Sequence, residues 1–369
     1  MTKGIQQFLK HLKKEGSLVN DDYIQNIYIN KLYKMSIKRV AIDVSCFIHK
    51  FNSTKNNKHH IVDFISLIEL FNDNNIKMIF VFDGKPPIEK EIILRDRRTK
   101  RQKNINIVKK YEKELQDLES KPITKDNSGD DYKILYENEV ANVKQNIDKF
   151  KKRTFSIKKQ HIIVLKQLFD LLNISYIHLD NEADLTISNL IKQGYVDACI
   201  SDDYDMIAFQ STLIIRDLNI YKKTVSVINL NDLCLKTKLK PDHLTYLNIM
   251  LGSDYSNPIH TVNIAYMYSL LLQNYDMKQL LKLVKKEDYI DCYENAYELF
   301  NKQLSINSNE SNTIKNSNES NTSYVINISY LEKDTFTNNL DLDTTHKIVV
   351  LSKLNDYLCR FSANIPLFS

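Results

Sequence analysis

The chain has 369 residues, of which 43% are hydrophobic and 10% aromatic, so it is long enough to bury a large core. Its formal net charge of +5 does not by itself indicate a partner, and the positions of the basic residues matter more. The five cysteines are scattered without a CxxC spacing, so we expect neither a disulfide framework nor a zinc site. No apolar run reaches the roughly 18 residues of a membrane-spanning helix, and we expect a soluble intracellular protein without membrane contact.

The first part of the chain predicts a βαβ unit. Residues 4–14 have the spacing of a short amphipathic helix, and 38–43 form a buried strand that ends at an aspartate. Residues 61–74 carry apolar side chains at helical spacing, and the apolar run 77–83 predicts a second strand that also ends at an aspartate.

The pattern then changes to a long polar helix and a loop at KPITKDNSGDD, which we interpret as an insertion. Beyond it, strands and helices alternate. We expect helix 160–172, strand 174–179, helix 183–193, strand 197–201, strands near 212–217 and 224–229, and helix 241–250. This alternation predicts an α/β fold with a mostly parallel sheet flanked by helices.

The last part of the chain carries no recognisable chemistry. Residues 301–323 contain NSNESNT twice and predict a flexible linker, because such a segment cannot bury apolar area. From about Tyr324 we expect a strand pair over YVINISY and a helix over HKIVVLSKLNDYLCRF.

Seven acidic residues fall at or next to the ends of these apolar runs. They are Asp43, Asp83, Glu182, Asp184, Asp203, Asp205 and Asp254. Open parallel sheets gather ligand-binding groups beyond the carboxyl ends of their strands, so we expect these acids at one edge. Clustered like charges are costly unless cations neutralise them, and carboxylate oxygens suit hard metal ions. The sequence therefore predicts a metal site, which we call the acidic edge.

Mg²⁺ is the metal that we expect there. Two divalent ions about 3.5 to 4 Å apart can clamp a phosphodiester and generate the attacking hydroxide, as in nucleases and phosphatases. Because Mg²⁺ keeps several waters, some of the seven acids would act through water. Each acid alone has a simpler explanation, since Asp often caps helices and Glu182 or Asp184 could favour a helix N-terminus. Their repeated placement after apolar runs favours the metal site.

A basic segment follows directly after Asp83. Between Lys85 and Lys110 there are roughly ten Lys or Arg against three acids, a density typical of phosphate-contacting surfaces. A second basic run, KFKKRTFSIKKQH, closes the insertion at 149–161. Lys90 and Arg97 are seven residues apart, so they share one helix face and could reach the same phosphate. The alternative is an ordinary solvated lysine surface.

Several motifs occur in the order in which one known family has them. They are GIQQFLKHL, VAIDVSCFIHK, VFDGKPP, KFKKRTFSIKKQH, the EAD and DDYD blocks, and MLGSDY, over residues 4 to about 260. The chain resembles the flap endonuclease/XPG family of structure-specific 5′ nucleases. This resemblance implies a PIN-like nuclease core with a helical arch insertion and a helix-two-turns-helix, which is degenerate here.

The resemblance also implies two Mg²⁺ ions, with Mn²⁺ as a substitute, and incision of DNA at a junction between duplex and a 5′ single strand. The seven acids take the family's metal positions, and Lys90 and Arg97 take its catalytic basic positions at the base of the arch. Further DNA contacts are expected at His49, Arg98, Lys100, Arg101, Lys152 and Arg153.

The implied organisation has four parts. They are an N-terminal nuclease region over 1–110, an arch insertion over 88–157, an internal nuclease region with the helix-two-turns-helix over 158–275, and a C-terminal extension over 276–369 that includes the linker 301–323.

The chain departs from the family pattern in places. Thr2 and Lys3 precede Gly4, and Asp184 is the residue type of the exonuclease branch. Thr261–Asn263 replaces a glycine-containing turn that binds duplex backbone with K⁺, so the duplex grip there is weakened or rebuilt. The C-terminus has no glutamine-led aromatic motif for a sliding clamp, and we expect a monomer that does not bind one.

The function expected from all this is Mg²⁺-dependent cleavage of DNA at 5′ flaps or branched junctions during replication or repair, in the nucleus or at another site of DNA replication. Three alternatives stay open at this point: a 5′ to 3′ exonuclease acting on duplex ends, a non-catalytic binder of branched DNA, and a nuclease directed at RNA.

Overall fold

The computed structural model describes residues 4–16, 23–52, 60–120, 130–304 and 324–325. These residues belong to two compact units. The larger draws on residues 1–47, 61–89 and 159–369, and the smaller on residues 48–60 and 90–158.

The described strands form one sheet in the larger unit. They are β1 (Ile24–Tyr28), β2 (Arg39–Asp43), β3 (Lys77–Phe82), β4 (Tyr176–His178), β5 (Ala198–Ile200), β6 (Leu213–Asn219), β7 (Thr224–Asn229) and β8 (Tyr324–Val325). Their order is β1-β7-β6-β5-β2-β3-β4-β8. The five central strands, β6 to β4, are parallel, whereas β1, β7 and β8 pair antiparallel at the two sides. The prediction of a mostly parallel sheet is confirmed.

The helices are α1 (Gly4–Lys14), α2 (Val44–Asn52), α3 (His60–Asp73), α4 (Glu91–Glu119), α5 (Asp130–Thr154), α6 (Lys159–Leu171), α7 (Ala183–Lys192), α8 (Asp205–Ala208), α9 (Leu230–Thr237), α10 (Pro241–Leu251), α11 (Ile264–Leu272), α12 (Met277–Leu283) and α13 (Ile290–Asn301). In the part of the chain that the structure describes, none of them is long and apolar enough to cross a bilayer.

Aromatic packing joins helices to the central strands. All six residues of β3 are buried, which explains its unbroken apolar sequence. Phe80 of β3 stacks on Phe169 of α6 with ring centroids 4.3 Å apart, and Phe64 of α3 contacts both rings edge to face. This packing fixes the strand whose end carries Asp83.

The register of the parallel strands determines which residues share an edge. Ile42 of β2 lies between Phe80 of β3 and Ile200 of β5. The residues just after these three positions therefore leave the sheet at its carboxyl edge. They include Asp43, Asp83 and the loop that begins at Ser201.

The smaller unit is built mainly from α4 and α5, which form a helical hairpin. Tyr111 stacks on Phe150, and the Tyr136 hydroxyl donates to the carbonyl of Leu118 at 3.3 Å, so the two helices run antiparallel. Its buried apolar residues are Val108, Leu118, Val143 and Ile147. Ion pairs such as Lys151 with Glu112, at 2.8 Å, lie along its surface.

The turn between α10 and α11 does not use a left-handed backbone at Thr261–Asn263, because no residue there has a positive φ. Asn263 instead has φ −71° and caps α11 by accepting a 2.9 Å hydrogen bond from the Ala265 N–H. Glycine is therefore not required in this turn.

The linker was predicted over 301–323, and the structure describes the first four of these residues. Asn301 is the last residue of α13, and the backbone at Lys302 and Leu304 bonds to the side chain of Asn189 on α7. These bonds hold 302–304 against α7, which composition alone could not predict. Residues 305–323 and the helix predicted over 346–361 lie outside the described residues, and of YVINISY only the two residues of β8 are described.

Candidate metal centre

Asp43 ends β2 and lies buried at the centre of the acidic edge. Its Oδ1 accepts the Cys46 N–H at 3.1 Å, and its Oδ2 accepts the Ser201 hydroxyl at 3.4 Å. The pKa of Asp43 is raised from 3.8 to about 7, first by burial and then by the nearby carboxylates of Asp83 and Asp203. The carboxylates of Asp83 and Asp203, which come after β3 and β5, are thus close enough to Asp43 to disfavour its charged form.

Asp83, just after β3, bonds directly to the EAD block. Its Oδ1 accepts the N–H of Ala183 at 3.0 Å, and Ala183 is the first residue of α7. Glu182 is the N-cap residue of α7 but makes no side-chain capping bond. Glu182 therefore makes no capping hydrogen bond, and Asp83 accepts the N–H of the first residue of α7.

Glu182 faces the turn that follows α10. Its buried carboxylate accepts a 2.5 Å hydrogen bond from the hydroxyl of Tyr255. The pKa of Tyr255 is raised well above 10 by burial and then by the carboxylates of Glu182 and Asp184, so Tyr255 stays a hydrogen-bond donor at neutral pH. Asp254, the neighbouring residue in this turn, is also buried.

The DDYD block forms a chain of hydrogen bonds that starts at Asp43. Ser201 donates to Asp43 and accepts the N–H of Asp203 at 3.2 Å. Asp203 Oδ1 accepts the N–H of Asp205 at 2.9 Å, and Asp205 Oδ1 accepts the side-chain amide of Asn248 at 3.1 Å. The direction of each carboxylate in this block is thereby restricted.

A buried arginine supports the same loop from β6. Arg216 donates from Nη2 to the carbonyl of Asp202 at 2.5 Å, and its guanidinium lies 3.4 Å from the ring centroid of Tyr204. Tyr204 separates the two metal-site candidates Asp203 and Asp205 in the sequence. The cation–π contact and the hydrogen bond together fix the loop between β5 and α8.

The carboxyl end of β3 has a further support on its other side. His178 Nε2 lies 3.0 Å from the carbonyl oxygen of Asp83, and its Nδ1 lies 2.6 Å from Nζ of Lys166. Since a carbonyl only accepts, Nε2 carries the proton and Nδ1 accepts from the lysine. Burial, and then Lys166, lower the pKa of His178.

The donor chemistry at the acidic edge fits hard divalent cations. Every predicted ligand offers carboxylate oxygen, and the raised pKa of Asp43 reflects first its burial and then the nearby carboxylates of Asp83 and Asp203. Among the residues that the structure describes, no three His, Cys, Asp or Glu side chains already form the ligand set of one ion. Mg²⁺ binds through few direct carboxylates and keeps several waters, so some of the predicted ligands would act through water.

The predicted basic site residues all lie on the smaller unit. Lys90 directly precedes α4, and α4 carries Arg97, Arg98, Lys100 and Arg101, whereas Lys152 and Arg153 are near the end of α5. His49 of α2 is exposed and contacts Phe155 edge to face at 5.4 Å. Their contacts with DNA stay predictions.

Sequence reasoning missed the residues that support the carboxylates. Tyr255 has a signal, because it stands inside the LGSDY motif directly after Asp254. Asn248, Arg216 and His178 have none, since their partners are distant along the chain and known only from the fold.

Comparisons with known proteins match two regions of this chain. The XPG N-terminal domain matches residues 3–104, and the XPG I-region matches residues 173–254. Together these regions contain all seven acids of the acidic edge.

Curated relatives extend the similarity beyond these regions. Flap endonuclease 1 of Nematostella vectensis is 26% identical over 304 residues, covering 77% of this chain and 74% of the relative. The protein of the same name from Schizosaccharomyces pombe is 26% identical, with 71% and 67% covered, and that from Homo sapiens is 25% identical, with 68% and 63% covered.

Solved structures show the same fold. The catalytic core of Rad2 in complex with a DNA substrate superposes with a TM-score of 0.50 at 17% identity, over 79% of this chain and 85% of that one. Human GEN1 in complex with Holliday junction DNA gives 0.51 at 16% identity, over 82% and 67%. These likenesses confirm the PIN-like nuclease fold. With both characteristic regions matched, the chain belongs to the XPG family of 5′ nucleases.

Proposed function

We propose that this protein is a Mg²⁺-dependent, structure-specific 5′ nuclease that cleaves DNA phosphodiesters at 5′ flaps or branched junctions in replication or repair. The observation that carries the proposal is the position of Asp43, Asp83 and Asp203 at or shortly after the carboxyl ends of three adjacent parallel strands, β2, β3 and β5. Family membership supports the nuclease class, and the names of the relatives support the flap substrate. We further propose a monomer that acts where DNA is replicated, with no sliding-clamp contact.

The carboxylates divide into two groups by position. Asp43, Asp83, Glu182 and Asp184 would hold the ion nearer the attacking water, and Asp203, Asp205 and Asp254 would hold the second. Such ions would supply Lewis acidity and would lower the pKa of the attacking water. The protein's own residues fix the direction of the ligands, through Ala183, Tyr255 and Asn248.

The basic residues would act on the substrate. Lys90 and Arg97 would neutralise the charge that develops on the scissile phosphate, an effect worth several kcal/mol for preorganised donors. Arg98, Lys100, Arg101, Lys152 and Arg153 would contact backbone phosphates without reading the sequence, and His49 would contact the bases or backbone near the junction.

A cleavage panel tests the proposal. The full-length chain is incubated with a 5′ flap, a nick, a gap, a four-way junction, a single strand and an RNA flap, with Mg²⁺ varied. We expect Mg²⁺-dependent cleavage of the branched DNA and almost none from Asp83→Asn, which keeps DNA binding. Asp73→Asn, an exposed acid at the end of α3, is the matched control and should cleave normally. Full Mg²⁺-dependent activity in Asp83→Asn would contradict the metal assignment.

The second candidate is a 5′ to 3′ exonuclease, favoured by Asp184 in the EAD block. A time course on an end-labelled flap separates the two activities. A single long product indicates the endonuclease, whereas mononucleotides indicate the exonuclease. Binding of every branched substrate without cleavage would instead identify a non-catalytic binder.

A further inference from the structure

We propose that Asn248 is a positioning residue that couples the N-terminal helix α1 to the carboxylate of Asp205. The inference rests on the proposed function of the acidic edge and adds a residue outside the seven acids. Asn248 lies on α10 and is fully buried.

Both ends of the Asn248 amide are bonded to distant parts of the chain. Its Oδ1 accepts the N–H of Ile5 at 2.9 Å, and its Nδ2 donates to Asp205 Oδ1 at 3.1 Å. The Ile5 N–H belongs to the first turn of α1, where backbone donors have no acceptor within the helix. Because that N–H can only donate and the carboxylate can only accept, the two partners together fix the orientation of the amide.

Gly4 allows the close approach that this bond requires. Its φ is +48°, and a Cβ at this position would lie 1.8 Å from Asn248 Oδ1. Any larger residue would therefore displace the Asn248 side chain or the start of α1. A change at the N-terminal helix thus reaches Asp205 through a single intervening side chain.

The bond matters for Asp205 because this residue is held both at its backbone and at its carboxylate. Its backbone N–H donates to Asp203 Oδ1, and its Oδ1 accepts from Asn248. Loss of the Asn248 donor would leave the bond between Asp203 and the Asp205 N–H in place and would change the orientation and hydrogen bonding of the carboxylate. Mutation of groups that orient metal ligands in this way typically weakens metal binding by about 10- to 100-fold.

The test measures metal binding without DNA. Mn²⁺ is titrated into the full-length protein, and free Mn²⁺ is followed by electron paramagnetic resonance. We expect Asn248→Leu to weaken Mn²⁺ binding about tenfold. Asn189→Leu is the matched control, because Asn189 is also buried and bonds to the backbone of Leu185, Lys302 and Leu304. It should lower the melting temperature and leave Mn²⁺ affinity unchanged.

A double-mutant cycle tests the coupling itself. Gly4→Ala should weaken Mn²⁺ binding in the wild-type background, because the new methyl group displaces Asn248. In the Asn248→Leu background the same substitution should have no further effect. If the leucine variant does not fold, as judged by circular dichroism, Asn248→Ser replaces it, since serine is too short to reach Asp205.

The outcomes separate the inference from the proposed function. Wild-type Mn²⁺ affinity in the Asn248 variant, or additive effects of the two substitutions, would overturn the coupling and leave the metal site intact. If the wild-type protein binds no Mn²⁺ and Asp205→Asn changes nothing, the proposed function itself fails. Weaker binding in Asn248→Leu and Gly4→Ala, without additivity, supports the coupling.

Discussion

The hydroxyl of Tyr255 donates a 2.5 Å hydrogen bond to Glu182, and this bond joins the turn after α10 to the start of α7. The two residues are 73 positions apart in the chain. Two regions of the acidic edge, one with Asp254 and one with Asp184, are therefore held together by one charge-assisted hydrogen bond.

Tyr255→Phe should remove that bond and leave a buried carboxylate with fewer donors. We expect a loss of about 1.5 to 3 kcal/mol in the free energy of unfolding, together with a higher Mg²⁺ requirement for cleavage. Chemical denaturation and Mg²⁺-dependent kinetics measure the two effects. Tyr268→Phe is the control, because Tyr268 donates to a carbonyl, that of Thr237, away from the acids. An equal shift of the Mg²⁺ requirement in both variants would contradict a specific role for Tyr255.

Asp43 should make the metal-free protein less stable as the pH rises. Its folded-state pKa of about 7 is above the ordinary value of 3.8, so the fold favours the protonated carboxyl. The stabilisation is fully present below about pH 4 and is lost as the pH rises through about 7, by an amount on the order of a few kcal/mol. Melting curves in EDTA at pH 5 and 7.5 should show this loss, and Asp43→Asn should reduce it. Mg²⁺ should restore the wild-type stability at pH 7.5. A pH dependence that is the same in Asp43→Asn would show that the fold does not penalise this charge.

Lys166 should keep His178 neutral beside Asp83. Burial lowers the pKa of His178, the adjacent lysine lowers it further, and the hydrogen bond to the Asp83 carbonyl opposes both. A histidine whose pKa is lowered in the folded state stabilises the fold above its unfolded-state pKa of 6.5. This stabilisation is lost as the pH falls from 6.5 through the lower folded-state pKa. Lys166→Met removes the cation and should raise the pKa of His178, which an NMR titration of the imidazole measures. An unchanged His178 titration would mean that the 2.6 Å contact with Lys166 does not act on the ring.

The sequence predicted the acidic edge from a simple regularity. Asp43 and Asp83 follow buried apolar runs, and parallel strands place the residues after such runs on one side of a sheet. The strand β1 was not predicted, because IQNIY has no clear alternation and three of its five residues are exposed. It becomes a strand by pairing with β7 across 200 residues.

The supporting side chains were beyond sequence reasoning for a related reason. Asn248 stands in a helix whose other residues are largely apolar, and an isolated buried amide has meaning only when its partners are known. Those partners, Ile5 and Asp205, come from different regions of the chain. Hydrophobic periodicity predicts which face is buried and does not predict which polar group the buried face meets.

The basic residues of the helical hairpin lead to the last prediction. Arg97→Ala should lower the cleavage rate by about 10² to 10³, because a preorganised cation that neutralises charge in the transition state is lost. Lys90→Ala should act in the same direction. Affinity for the flap substrate should fall only slightly, since many other basic side chains of the hairpin would contact the phosphates. Lys113→Ala is the matched control, an exposed lysine farther along the same helix α4. Single-turnover kinetics separate the rate of the chemical step from the affinity for the substrate. Arg97→Ala and Lys113→Ala could instead lower binding equally and leave the rate of the chemical step unchanged. Arg97 would then be one phosphate contact among many. The charge that develops on the scissile phosphate would in that case have to be neutralised by the ions at the acidic edge alone.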